Sequence, residues 1–177
     1  MLELLIAWVL AAMAAAWTLT GVKVFPAVPR ETAAAIAVAS LEKPLFAGEE
    51  GARKTAASMV GIARYESGFQ QLAGDCVGLK PGTIRCGSEG TKPTSFCFMQ
   101  VNLPDGAKTK EGWTAEELMQ DPLKCARAAR EIMRGSIKEN SAQPLKQYAG
   151  DAKKGETRFS LGWKLFEQVA WPRANGS

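Results

Sequence analysis

The chain has 177 residues, 46% of them apolar and 23% charged, with a formal net charge of +4, which is enough for one domain with a core of its own. The mild basic excess suits a polyanionic surface such as a cell wall, and no run of Lys and Arg interleaved with aromatics speaks for nucleic acid as a partner. There is no histidine, which excludes Ser-His-Asp and Cys-His nucleophiles and HExxH zinc sites, so hydrolytic chemistry would rest on carboxylates, the usual means of cutting glycosidic bonds.

Leu4 to Val22 carries no charge and is long enough to cross a membrane. It is Ala-rich and flanked by Glu3 rather than by Lys or Arg, and AMAAAW contains A-x-A-like cleavage options. Residues 1–24 therefore read as a signal or membrane-anchor segment, either of which sends the remainder out of the cytoplasm. A buried core helix is the alternative. Val24 to Arg30, with Pro26 and Pro29, reads as an extended linker, and Glu31 to Leu41 as an Ala-rich helix stopped at Pro44.

Glu49 and Glu50 match the positive end of a helix dipole, and Ala56, Met59, Val60 and Ala63 follow with the i, i+3, i+4, i+7 spacing of a buried helical stripe. Gly68 ends this helix and leaves Glu66 in its last turn. Residues 73–96 are rich in Gly, Pro, Ser and Thr and read as loop or short hairpin. The run FCFMQVN after them is too short to assign by periodicity. Trp113 to Leu118 carries a T-x-x-E capping box with Trp113 and Leu118 as a hydrophobic staple. Asp121-Pro122 is an N-cap with proline at the first helical position, opening a helix with Ala126, Ala129, Met133 and Ile137 on its apolar stripe. Gln143 to Tyr148 is a short element ended by Gly150, and Ser160 to Val169 reads as the last helix. The fold class is mainly α, a helical domain around a cleft, without repeats.

Four cysteines without a CxxC pair, Cys76, Cys86, Cys97 and Cys125, suit disulfides in an exported domain and allow three connectivities. Cys76–Cys86 would close a Gly-rich loop, and Cys97–Cys125 would tie a strand or turn to a helix.

Glu66 is the candidate acid. Partial burial and the negative end of the helix dipole both favour the protonated form that a general acid needs. Asp75, nine residues on in a loop, is a possible second carboxylate, or a loop aspartate that caps a turn. Asp105, in P-D-G, is a turn signature. Trp113, Trp163 and Trp171 read as core or staple aromatics rather than sugar platforms.

Glu66-Ser67-Gly68-Phe69, Ser95 to Asn102 (SFCFMQVN), Asp121-Pro122-Leu123-Lys124-Cys125 and Tyr148-Ala149-Gly150 occur in this order. Together they resemble the soluble lytic transglycosylase domain of the lysozyme-like superfamily, with its E-S-x-F, S-x-G-L-M-Q, D-P-x-x-N-I and Y-N-A-G elements. The likeness runs from Ala56 to about Tyr148. It implies an α+β lysozyme-like fold, with residues 25–55 as linker and N-terminal helix and residues 56–177 as the catalytic domain. It further implies Glu66 as sole catalytic acid and base, supported by Ser67, with Phe98, Met99 and Gln100 lining the cleft and Tyr148 approaching from the opposite wall. The implied partner is the glycan strand of peptidoglycan, with no cofactor and no metal. Cys97 stands where the family has glycine and Cys125 where it has asparagine, so a Cys97–Cys125 bridge would join elements that the family packs together. The asparagine of Y-N-A-G is missing, and Gln147 or Asn102 is its candidate substitute. Hydrolysis in the manner of a goose-type lysozyme, and an inactive wall-binding or assembly scaffold, are the alternatives.

Overall fold

A computed structural model describes residues 1–22, 27–71, 94–104 and 106–172. Asp75, Cys76, Cys86 and Asp105 lie outside the described residues.

The fold is mainly helical. In chain order it comprises α1 (Leu2–Leu19), α2 (Arg30–Glu42), α3 (Gly51–Glu66), a small hairpin of β1 (Ser95–Phe96) and β2 (Val101–Asn102), α4 (Ala115–Gln120), α5 (Pro122–Glu139), α6 (Lys146–Ala149) and α7 (Ala152–Gln168). Helix α3 packs against α1, α2 and α7, while α2 also packs on α5 and α6 on α7.

The uncharged N-terminal segment forms α1, a helix apolar and long enough to cross a membrane. One side of it lies inside the domain. Leu5, Ile6, Trp8, Val9, Ala12, Met13, Ala16 and Trp17 are buried, and they share a core with Ile36, Met59, Val60 and Ile62. The indole N–H of Trp8, which has no exposed surface, donates to the Val169 carbonyl at 2.9 Å. A buried indole needs such a partner.

Local rules account for the helix ends around the candidate acid. The Ala63 carbonyl accepts from the amides of Ser67 and Gly68, both at 3.1 Å. Gly68 turns the chain out of α3 at φ 61°, the left-handed conformation that costs glycine nothing. Helix α4 has the full capping box: Glu117 N–H donates to Thr114 Oγ1 at 3.3 Å, and Thr114 N–H donates to Glu117 Oε2 at 2.9 Å. Asp121 Oδ1 accepts from Leu123 N–H and Lys124 N–H at 2.8 and 3.1 Å, capping α5.

The last helix begins earlier than Ser160. Asp151 caps it, accepting from Lys154 N–H at 3.0 Å, and α7 starts at Ala152. Its first turns read KKGETR, polar and broken by a glycine, so apolar periodicity does not reveal them. Gly155 sits there because a Cβ would lie 2.8 Å from the Leu145 carbonyl carbon.

The run FCFMQVN forms the end of the first strand, the turn and the second strand of the hairpin. Ser95 pairs with Asn102 and Phe96 with Val101, and Cys97 to Gln100 make the turn between them. Cys97 (φ 62°) and Gln100 (φ 52°) occupy the left-handed region, at a cost of roughly 1–2 kcal/mol for a residue with a Cβ. Cys97 is bonded to Cys125 on α5, with Cα atoms 6.2 Å apart.

Candidate active site

Three chain segments meet at the C-terminal end of α3. Glu66 is the last residue of that helix, and its side chain keeps 18% of its exposure. Ser67 follows, and its hydroxyl donates to the Phe98 carbonyl at 2.6 Å, tying the helix end to the hairpin turn. From α6, the Tyr148 hydroxyl donates to the next carbonyl of that turn, Met99, at 2.5 Å. Burial pushes the Tyr148 phenol well above the usual tyrosine range, and the neighbouring Glu66 charge pushes the same way, while Arg158 opposes both. Tyr148 is therefore a neutral donor beside the candidate acid.

The hairpin turn contributes backbone rather than side chains. Phe98 and Met99 have no exposed side-chain surface, so they offer carbonyls to Ser67 and Tyr148 and no face to a ligand. Gln100 is half-buried, and its Nε2 donates to Cys97 O at 3.0 Å. Asn102 is exposed, its Nδ2 3.4 Å from Thr94 Oγ1. Gln147 is exposed and donates to Glu139 on α5.

Helix α1 braces the site from behind. The Arg64 guanidinium lies 3.9 Å from the Trp17 ring centroid, and its Nε donates to Thr20 Oγ1 at 2.9 Å. Trp17 meets Phe69 edge to face at 5.8 Å between centroids. A Cβ on Gly68 would come within 3.0 Å of the same indole. The residues two before and two and three after Glu66 thus rest on α1. Beyond them, Gln71 Nε2 donates to the Leu118 and Met119 carbonyls of α4 at 2.8 and 3.0 Å.

One charged neighbour escaped the sequence reading. Arg158 of α7 donates through Nε to Glu66 Oε1 at 2.7 Å, with only 13% of its side chain exposed. It lies in a polar run that looks like a solvated face. The available signal was spacing: Gly155, Arg158, Gly162 and Leu165 recur at i, i+3, i+7 and i+10, one face of a helix.

Among the candidate aromatics, Trp113 and Trp171 are half-buried, whereas Trp163 keeps 42% of its exposure and stacks on Phe159 at 6.5 Å. Among the described residues no group of three or more His, Cys, Asp or Glu could hold a metal ion. No family model, curated protein or solved structure matches the chain.

Proposed function

We propose that this protein cleaves the β-1,4 bond between N-acetylmuramic acid and N-acetylglucosamine in peptidoglycan, as a lytic transglycosylase. The observation that carries the reading is the meeting of three motif segments, remote in sequence, around one partly buried carboxylate. Ser67 anchors its helix end to Phe98, and Tyr148 stands beside it on Met99.

The chemistry follows from one carboxylate at the site among the described residues. Glu66, protonated, gives its proton to the leaving oxygen, which departs as the 4-hydroxyl of N-acetylglucosamine. The glutamate then takes the proton of the C6 hydroxyl of the muramic acid residue, whose oxygen attacks the anomeric carbon. The product is a 1,6-anhydro sugar, no water is consumed, and Glu66 is protonated again. Tyr148, held neutral, can donate to the substrate or to Glu66 without adding charge to the site.

The setting is outside the cytoplasm. The Cys97–Cys125 disulfide suits an oxidising compartment, and the net charge of +4 suits an anionic wall. The apolar α1 segment can direct export before folding and pack into the domain afterwards. Its inner face completes the core, so it is expected to stay attached.

The test is digestion of purified peptidoglycan followed by mass spectrometry of the fragments. Anhydro ends, lighter than reducing ends by one water, are expected from the native protein. Glu66→Gln keeps the shape but cannot shuttle the proton, and its rate should fall by about 100-fold or more. Substantial cleavage by Glu66→Gln would overturn the assignment. Reducing ends that vanish in Asp75→Asn would instead establish lysozyme-type hydrolysis, and binding to the wall without cleavage would establish a scaffold.

A further inference from the structure

We propose that Arg158 is a positioning residue that holds Glu66 ionised and aimed in the unliganded protein, and so sets the pH range over which the site can act as an acid. This rests on the reading of Glu66 as the acid given above.

The geometry is built for the contact. Helices α3 and α7 touch backbone to backbone. A Cβ on Gly61 would stand 2.4 Å from the Arg158 carbonyl oxygen, and a Cβ on Gly162 would stand 2.8 Å from the Ser58 Cα. Only residues without a side chain allow that approach. It brings the α7 position at 158 alongside the last turn of α3, so that the guanidinium reaches Glu66 from the neighbouring helix.

The guanidinium is held from other sides as well. Its Nη1 donates to the Lys154 carbonyl at 3.1 Å, and its Cζ lies 5.7 Å from the Tyr65 ring centroid. Among the described residues, Arg158 from α7 and Tyr148 from α6 face Glu66, Tyr65 of α3 lies beneath the guanidinium, and of these three Arg158 is the cation. A hydrogen bond of 2.7 Å between a guanidinium and a carboxylate, both largely withdrawn from water, is strong and favours the charged acid.

The consequence for catalysis has a definite sign. Burial and the helix C-terminus favour protonated Glu66, and Arg158 works against both. The alkaline limb of kcat/KM reports the ionisation of the acid in the free enzyme. Arg158 therefore confines cleavage to lower pH. Removing its charge should carry that limb upward by about one to three pH units, the usual effect of an arginine on a neighbouring carboxylate.

Two measurements on the full chain test this. The first is the pH dependence of kcat/KM on purified peptidoglycan for the native protein, Arg158→Gln and Arg158→Lys. The limb should rise in Arg158→Gln and return towards the native position in Arg158→Lys. A lower rate at every pH with an unmoved limb would overturn the proposal, since that is what a merely structural arginine produces. The second is an NMR titration of carboxyl-labelled glutamate, with the Glu66 signal identified by its loss in Glu66→Gln and the fold of each variant checked by circular dichroism. This readout needs no turnover. A Glu66 midpoint that rises in Arg158→Gln supports the proposal, and one that stays in place overturns it. Absence of glycan products from the native protein would overturn the proposed function alone.

Discussion

Helix α1 and the end of α3 lie against each other, and they carry information in opposite ways. Helix α1 is nearly uniform, apolar along its length with no charge after Glu3. The last turns of α3 and the chain after them are punctuated: a carboxylate, a hydroxyl, a glycine at φ 61° and an aromatic, set among specific neighbours. Uniform apolarity is compatible with a lipid surround, with a leader sequence and with a protein core, because all three reward the same composition. Punctuation is compatible with few surroundings, since each residue asks for a specific neighbour. The ambiguous region is nonetheless the one that supports the specific one, through Trp17, Thr20 and their contacts with Arg64, Gly68 and Phe69.

The comparison breaks most decisively if α1 is removed. Deleting residues 1–24 removes the helix that packs on α2 and α3 and opens the core it shares with them. The expected outcome is loss of cooperative thermal unfolding and of soluble protein. A truncated chain that stays soluble, folded and active would make α1 a leader or anchor and nothing more.

The second test acts on the hairpin side. Removing the bridge as Cys97→Ala with Cys125→Ala should cost about 3.5 kcal/mol by loop entropy for a 28-residue separation, read as a lower midpoint in urea. Cys97→Gly with Cys125→Ala should recover about 1 kcal/mol of this, because glycine relieves the left-handed φ at 97. Equal midpoints for the two pairs would show that the turn relaxes once it is no longer tethered.

The smallest effect concerns Tyr148. Its phenol is raised in the folded chain above its unfolded value near 10. It therefore contributes stability that is fully present below about pH 10 and is lost as the pH climbs through the raised folded value. Tyr148→Phe should lower stability at neutral pH by about 1–3 kcal/mol, because the buried Met99 carbonyl loses its donor. It should also flatten the alkaline decline in thermal midpoint. An unchanged decline would assign it to another group.

What was legible divides along the same line. The capping box at Thr114, the Asp121-Pro122 start, the Gly68 stop and the helical class are local signals, decided by residues within one turn of each other. The Cys97–Cys125 pair was legible because both positions depart from a pattern at cysteine. The burial of Phe98 and Met99 was not, since a short apolar run has no period to tell a cleft wall from a core. The early start of α7 and its ion pair with Glu66 were hidden for a related reason: a polar helix turn looks solvated until its partner helix is known.

The glycine contact between α3 and α7 also bears on how such a chain can change over generations. A side chain acquired at 61 or at 162 meets backbone rather than a movable rotamer, so neither position can drift alone. A lineage that replaced either glycine would have to move the whole of α7 outward. That shift would draw the guanidinium at 158 away from the carboxylate at 66. A change at Gly61 therefore acts on Gly162 and Arg158, although it stands on a different helix and far from both in the sequence.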